Sequence, residues 1–497
     1  MLAAFEGARS IKAGWIASVP SERAPNFMDG HGGPPASRAR AANGRLATIG
    51  YGAALGLTAI TDLLPAEVRF GHLQRLFGAL AIRGGLPSIR RPPLRLDGDE
   101  AIPAPHPEQD LRCLLVAGSL DGGGVEAVVS TLARHLPAHG IATEVVCTGE
   151  GRTASELRAA GIPVMMASAA DLPALIDRRK PDVIQLHRPE RELARAALSS
   201  HAVVVPVFHA MESYLDAPTW ATLAAVAQRT SVCVAVSQGV KTFFEHRLGV
   251  HSIRVVLNGV HGLPPGAAWE RGEARRAISR AVGAEITDDD LLVVALQRFS
   301  PQKNAAGLVD AFLAAVGSEP RLRLVLAGAT DNWLEVRRAH LLRQASPLGD
   351  RVHLLGDSDP WVVLQAGDVY ALDSFAEGGP LSAVEAVMCG LPVVLSEVGF
   401  ARHLVSSEGV DGMVVNRANT DYSQAAMAAQ RRRRHQSNRA EFAAALAAAS
   451  QYRRRSTGSV PPDFTEAAMV RGHASALRSA AEAARSGAVT PREPFGA

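Results

Sequence analysis

Two glutamates, Glu377 and Glu385, flank seven residues within the stretch SFAEGGPLSAVEAVMCGLPVVLSEVG, residues 374–399. An ionised carboxylate is an acceptor only, and its two oxygens can take both hydroxyls of a sugar diol. Gly378 and Gly379 permit a close backbone approach, and Pro380 suits a first helical position. The spacing therefore puts Glu377 in a loop and Glu385 inside a helix whose first amides, about Leu381 to Ala383, favour an anion. A second set, Arg298-Phe-Ser-Pro-Gln-Lys303-Asn304, offers a guanidinium fork and a mobile ammonium, a combination suited to a diphosphate. Loop cations are ordinarily just solvated, and this pair gains meaning from the glutamates in the same half of the chain. A third set, Gly122-Gly123-Gly124-Val-Glu126, follows an apolar run and enters a helix, as a phosphate cradle does. The fourth feature is His209, which closes VVVPVFH at the carboxyl end of a predicted strand; such a histidine is either structural or turned toward a ligand.

These residues need elements that carry them to one place. LRCLLVAG, from Leu111, is a short and nearly continuous apolar run, as in a strand buried on both faces. Predicted helices and further strands alternate after it: TEVVCTG, VMMAS, DVIQLH, VVVPVFH, VCVAVS and IRVVLNG. A Pro/Gly- and charge-rich break at 263–288 ends in a helix-like piece, and the alternation restarts with LLVVALQRF, RLRLVLAG, VHLLG, VYAL and PVVLSE. Such alternation implies parallel sheets with right-handed crossovers. The fold class is thus α/β, with two doubly wound domains facing one cleft. Ligands sit beyond the carboxyl ends of the strands in such domains.

Composition narrows the function classes. The chain has 497 residues, 47% hydrophobic and 20% charged, and its 52 cations are offset by 49 anions. That balance gives no argument for nucleic acid as a partner. Cys113, Cys147, Cys233 and Cys389 sit in apolar runs without metal-ligand spacing and read as reduced, buried side chains of a cytoplasmic protein. Residues 1–45, rich in Gly, Pro, Ala, Ser and Arg, read as a disordered tail without a secretory signal. Residues 46–110 form a helical extension and Pro-rich linker. Its uncharged run Leu46 to Thr61 is too short to span a bilayer. Its later part places Phe70, Leu73, Phe77 and Leu80 on one face, with Arg69, Arg75 and Arg83 among the polar positions. Such a helix either packs on the body or lies peripherally on an anionic membrane. The remaining divisions are a first domain at 111–262, a second at 263–420 and an Ala/Arg-rich helical tail at 421–497. The run RRRRH at 431–435 reads as a solvated face, with anionic lipid as the alternative contact.

Taken together, these motifs resemble the retaining glycosyltransferases of family 4, which have the GT-B fold of two Rossmann-like domains. The resemblance covers roughly residues 111–420. It rests on Glu377 to Glu385 followed by Cys389-Gly-Leu-Pro-Val-Val394, on Arg298 with Lys303 and Asn304, on Gly123, Gly124 and Glu126, and on Val236-Ser237 and Asn258-Gly259-Val260. It implies a nucleotide-diphosphate sugar donor held mainly by the second domain, with no cofactor and no obligatory metal. Arg298 and Lys303 would neutralise the pyrophosphate as it leaves. Glu385 would accept the ribose hydroxyls. Glu377 would hold hydroxyls of the donor sugar, helped by backbone amides around Gly379 to Leu381, and Pro380 would line the same donor site. His209 would face the reacting sugar, and Gly123 and Gly124 would let the first domain approach it. The acceptor side belongs to the first domain, and the family implies a lipid-linked or saccharide acceptor in polysaccharide or glycolipid synthesis. Departures from the family pattern stand at Gly399-Phe400-Ala-Arg-His403, at His261 and at Ala329-Thr330.

Other readings meet the same residues less completely. Gly122-x-Gly124-x-x-Ala127 fits a loose dinucleotide fingerprint, but its acidic partner is only loosely met by Glu150. A sugar-nucleotide epimerase of the same fold would need first-domain carboxylates that the sequence does not display. A non-catalytic GT-B-like binding protein would keep the fold without turnover. Asp357-Ser-Asp359 reads as a loop and helix cap, not as a metal-binding pair.

Overall fold

The computed structural model describes residues 36–64, 77–90, 108–121, 123–187, 190–262, 269–456 and 458–487, and the single positions 68 and 106; side chains are described from residue 43 onward. Among the described residues thirteen strands form two sheets, every neighbouring pair parallel. In the first sheet the strands are β1 (Leu111–Ser119), β2 (Ile141–Gly149), β3 (Val164–Met166), β4 (Val183–His187), β5 (Val203–Phe208), β6 (Cys233–Ala235) and β7 (Ile253–Val255). Their order is β3-β2-β1-β4-β5-β6-β7. The second sheet holds β8 (Leu291–Leu296), β9 (Leu322–Ala327), β10 (Val352–Leu355), β11 (Val369–Leu372), β12 (Val393–Ser396) and β13 (Gly412–Val415), in the order β10-β9-β8-β11-β12-β13. In both sheets the first strand of the unit lies inside the sheet and the order reverses beside it. Strands β1 and β8 are apolar almost throughout because helices cover both faces.

The core divides accordingly. Leu115, Val129, Leu132, Val205 and Phe244 belong to one face of the first sheet, Leu114, Val116, Ile184 and Ala194 to the other. Around the second sheet Val293, Phe312, Leu324 and Phe442 pack on one side, and Val294, Val325, Val384 and Leu395 on the other. All four cysteines are free and buried.

Both ends of the chain differ from the sequence reading. A helix, Ala36–Thr61, begins within the segment expected to be a tail; residues 1–35 lie outside the described residues. Its face Ala47, Tyr51, Ala54, Thr58 and Thr61 is buried, and Ala54 and Phe77 pack with Leu334 of the helix Trp333–Ala345. Of the expected amphipathic face, Phe70 and Leu73 lie outside the described residues. The linker docks as well: Gly356 N–H donates to the Pro87 carbonyl at 2.8 Å and Asp359 N–H to that of Ile89 at 2.9 Å.

The C-terminal helices are integral to the two domains. Phe442 and Leu446 of the helix Arg439–Ala449 lie in the second core. The helix Glu466–Arg485 returns to the first sheet, where Met469, Val470, Ala474, Leu477 and Ala480 join the same cluster as Leu115 and Val205. The run RRRRH is likewise only partly solvated. Arg432, Arg433 and Arg434 are exposed, but Arg431 is buried and pairs with Asp62 and Glu335, while Glu335 also meets Arg338 at 2.9 Å. Burial alone would raise the Glu335 carboxyl; Arg338 and Arg431 outweigh it and hold it below the ordinary range.

Candidate active site

The second sheet delivers the charged residues. After β8 the chain passes through Arg298 into a single turn, Pro301–Lys303, and Asn304 adopts a left-handed conformation (φ 55°) before the helix Ala305–Ala315. Asn is among the few side chains that tolerate this region. Its amide nitrogen donates to Asp373 at 3.1 Å and to Gln436 at 2.8 Å, and Asn438 donates to the other Asp373 oxygen at 2.8 Å. Asp373 directly follows β11, so this buried knot ties the cationic loop to the loop of Glu377. Burial pushes the Asp373 carboxyl up to about 7, against the hydrogen bonds from Asn438 and Asn304. Two further bonds fasten the same loops: Phe375 N–H to the Gln302 carbonyl at 2.9 Å, and Gln302 Nε2 to the Ala376 carbonyl at 2.5 Å.

Lys303 and Glu377 meet directly. Lys303 Nζ lies 2.6 and 2.8 Å from the two Glu377 oxygens, and Ser374 Oγ donates to Oε1 at 2.7 Å. The Glu377 side chain is 7% exposed and that of Lys303 20%. Arg298 is more open, at 63%, and pairs with Asp331 at 2.9 Å. Burial raises the Asp331 carboxyl, while Arg298 and Lys303 both act to lower it, so one acid senses both cations. Tyr370 connects the two glutamates in the same way. Burial raises its hydroxyl, a Ser382 hydrogen bond lowers it, and the charges of Glu377 and Glu385 raise it further. Asp331 thus links Arg298 with Lys303, and Tyr370 links Glu377 with Glu385, while the direct contact among the four is that of Lys303 with Glu377.

Glu385 lies on the helix Leu381–Met388, for which Pro380 is the N-cap, one position earlier than its expected place. The amide of Ala383 closes on the Pro380 carbonyl at 3.0 Å, which removes Ala383 from the expected anion-facing set. A cavity of about 210 Å³ lies between the domains here. The second domain lines it with Trp361, Leu381 and Glu385, the first with Ala127, Val128 and Thr131, and Gly259 to Gly262 with Glu466 complete the lining. Gly124 faces the same contact, with Leu381 Cδ1 4.0 Å from where its Cβ would stand. Gly123 is extended, and a Cβ there would press on the Glu126 carboxylate at 2.6 Å; Gly122 lies outside the described residues.

His209 follows β5 and is buried. Its Nε2 lies 2.9 Å from Nδ1 of His187, whose Nε2 lies 3.1 Å from Gln185 Oε1, and Gln185 Nε2 lies 2.9 Å from Nδ1 of His473. This buried chain joins the end of β5, strand β4 and the C-terminal helix. Burial pushes the His473 imidazole down to about 4 and that of His187 well below its ordinary value, the latter with help from its histidine neighbours. The His209 ring is thus anchored inward, and its main-chain carbonyl meets the second domain. A Cβ on Gly378 would collide with that carbonyl, and one on Gly399 (φ 55°) would stand 2.6 Å from the Gly378 carbonyl. Only glycines let these backbones touch.

Asp331, Ser374 and the Asp373 knot were not anticipated from the sequence, nor was the His187 chain. The last had a signal: Gln185 and His187 alternate on one face of an otherwise apolar strand. Asp359 caps the helix Pro360–Ala366 by accepting from Trp361 N–H at 3.0 Å, as expected.

Fold and site define a two-domain α/β protein with a charged cleft at the carboxyl ends of two parallel sheets. Residues 122–261 match the model of Glycosyltransferase Family 4, and residues 281–441 match that of Glycosyl transferases group 1. The two matches cover most of both domains, and the chain belongs to this glycosyltransferase family. Among solved structures, Alr3699/HepE from Anabaena in complex with UDP and glucose is similar at 21% identity and a TM-score of 0.54, over 74% of this chain and 100% of that one. A glycosyltransferase from Rickettsia africae shows 15% identity and a TM-score of 0.57, over 75% and 99%. These likenesses establish the GT-B fold. Among curated proteins, the Vi polysaccharide biosynthesis protein VipC/TviE of Salmonella typhi is 30% identical over 189 residues, 37% of this chain and 31% of that protein. The D-inositol 3-phosphate glycosyltransferase of Mycobacterium leprae is 34% identical over 146 residues, 28% and 32%. The chain spans about a third of the length of these relatives.

Proposed function

We propose that this protein is a retaining glycosyltransferase that moves a sugar from a nucleotide-diphosphate sugar to a hydroxyl of a lipid-linked or saccharide acceptor, in cell-surface polysaccharide or glycolipid synthesis. The observation that carries the reading is the Lys303–Glu377 pair, which joins a cation suited to phosphate and an acid suited to sugar hydroxyls next to Gly378, where the second domain meets the His209 carbonyl. The names of the similar proteins support the substrate class: one is a polysaccharide biosynthesis protein, and another structure holds UDP and glucose.

In the proposed reaction the acceptor oxygen bonds to the anomeric carbon on the face from which the diphosphate departs. The sugar–phosphate bond breaks with its electron pair going to the diphosphate, and the acceptor's proton passes to a departing phosphate oxygen. Arg298 and Lys303 stabilise the charge that grows on the leaving group. Glu385 takes the ribose hydroxyls, and Glu377, braced by Ser374, orients the donor sugar beside Gly379, Pro380 and Leu381. His209 braces the first domain against Gly378 through its main-chain carbonyl, and its ring, held by His187, does not take the sugar-facing role that the resemblance implies. The proposal includes no metal, since the two side-chain cations carry the neutralising charge. A cytoplasmic setting is supported by the four free cysteines. Peripheral membrane contact is supported by the exposed Arg432, Arg433 and Arg434; no helix among the described residues is long and apolar enough to cross a membrane.

The test is incubation of the purified chain with a panel of nucleotide sugars and acceptors, with and without EDTA. Nucleoside diphosphate release that depends on donor and acceptor, survives EDTA and yields a glycoside of unchanged anomeric configuration is the expected result. An inverted product rules out the retaining mechanism. Donor binding without product across the acceptor panel rules out the transferase.

A further inference from the structure

The helix Ala36–Thr61 has two apolar faces, and among the described residues only one is covered. Ala47, Tyr51, Ala54, Thr58 and Thr61 are buried against the second domain. On the other side Leu46 (67%), Ile49 (71%), Ile60 (63%) and Leu63 (78%) are exposed, four of the seven exposed large hydrophobic residues among the described ones. Exposed Ala53 and Gly56 stand between the two pairs. The six positions recur at alternating steps of three and four, which is one seam of a helix, and the helical hydrogen bonds continue past Thr61, with Asp62 N–H donating to Thr58 and Leu63 N–H to Ile60. No charged residue lies between Arg45 and Asp62. Soluble proteins rarely leave such a contiguous surface open.

The order along the seam is Leu, Ile, Ala, Gly, Ile, Leu, which reads the same in size from either end. We propose that this face pairs with the same face of a second copy of the chain, antiparallel about a two-fold axis between Ala53 and Gly56. The axis sets Leu46 against Leu63 of the partner, Ile49 against Ile60 and Ala53 against Gly56, so that every contact occurs twice, as a two-fold interface requires. The small centre lets the backbones approach; a Cβ on Gly52 or on Gly56 would meet nothing within 4 Å in the single copy. A lipid-facing helix is favoured instead by large apolar residues throughout and by basic residues along its polar flank. Six positions of one helix span roughly 26 Å, and two such faces bury on the order of 600–900 Å² in total, below the ~1,200 Å² of stable interfaces. The dimer is therefore weak and concentration-dependent. This inference does not depend on the enzymatic activity.

Sedimentation velocity on the full chain, from about 1 to about 100 µM, tests it. The native protein shifts from monomer to dimer across the range. Ile49→Glu with Ile60→Glu places like charges opposite each other and weakens the dimer at least about tenfold. Ile49→Glu with Ile60→Lys pairs opposite charges in the antiparallel arrangement alone and restores association. Unchanged melting temperatures show that these exposed substitutions leave the fold intact. A native chain that stays monomeric throughout overturns the proposal, as does a double-Glu variant that still dimerises or a Glu/Lys variant that remains monomeric. A monomer whose binding to phosphatidylglycerol vesicles increases on Gly56→Leu assigns the face to lipid and overturns it too.

Discussion

Replacing Lys303 by Met would leave the Glu377 carboxylate, only 7% exposed, with its two short contacts to the ammonium gone and the Ser374 hydroxyl remaining. Breaking a fully buried ion pair by removing one partner costs about 3–5 kcal/mol. Lys303 retains a fifth of its exposure, so water recovers part of that loss and the cost falls to about 2–3 kcal/mol. Glu377→Gln keeps an acceptor for both Lys303 and Ser374 and should cost about 1–2 kcal/mol. The double variant sets a neutral amide beside a thioether, and its cost should undershoot the sum of the single costs by about 1–2 kcal/mol. Urea denaturation, followed by tryptophan fluorescence and circular dichroism where the two transitions coincide, measures each corner of the cycle. Donor titration by calorimetry supplies the functional readout, because both side chains face the proposed diphosphate and sugar. A cycle additive to within about 0.5 kcal/mol would show the pair to be a solvated surface contact. The picture of a cation and an acid held ready inside the cleft would then fail.

Glu385→Ala should weaken donor binding by about 1.5–3 kcal/mol if its charged hydrogen bonds to the ribose form; an unchanged thermal shift with donor in the folded variant rejects that role. Asp373, raised to about 7 in the folded protein, binds its proton more tightly there than in the unfolded chain, so its contribution is complete below about pH 4 and declines as the pH rises to 7. Asp373→Asn should remove that decline, on the order of 4 kcal/mol, from the stability–pH curve, and an identical slope in both proteins contradicts it. His473 has the opposite sign: depressed to about 4, it favours the folded state above its unfolded value near 6.5 and withdraws that support as the pH falls toward 4. His473→Leu should flatten the acid limb of thermal melting, and an unaltered limb would count against it. His187→Phe removes the partner of His209 Nε2 and should lower kcat more than it changes the KM for donor; equal effects on both indicate general loss of structure.

Much of this architecture is legible in the residues. Twelve of the thirteen strands are announced by apolar runs between turn signals, because a strand covered on both faces has no polar alternation to blur it. The exception, Gly412–Val415, is a four-residue edge strand whose short apolar run offers no period. Several ladders are shorter than their runs: VCVAVS continues apolar beyond Cys233–Ala235, because residues leading from the strand into the next helix remain buried. Within the site, Arg298, Lys303, Glu377 and Glu385 stand out by type and spacing. What holds them does not. Asp331, Asp373 with Asn438, and the pairing of Arg431 with Glu335 and Asp62 are long-range meetings of common polar residues, and nothing local distinguishes them from solvated ones. The inward turn of His209 was hidden for the same reason, since its partner lies on a different strand. Alanine-rich helices pose a related difficulty. Glu466–Arg485 has an apolar stripe, but small side chains do not specify which sheet receives it.

The return of that last helix to the first sheet has a consequence for biogenesis. Strands β1 to β7 leave the ribosome early, yet Met469, Val470, Ala474 and Leu477, which complete one face of their core, are translated some two hundred residues later. The earlier half must wait, partly uncovered, until that helix emerges, whereas the second domain can close around Phe312 and Phe442 before it. A nascent chain arrested after Phe464 would thus carry a second domain with its core complete, joined to a first domain still open on one face, with apolar surface available to chaperones.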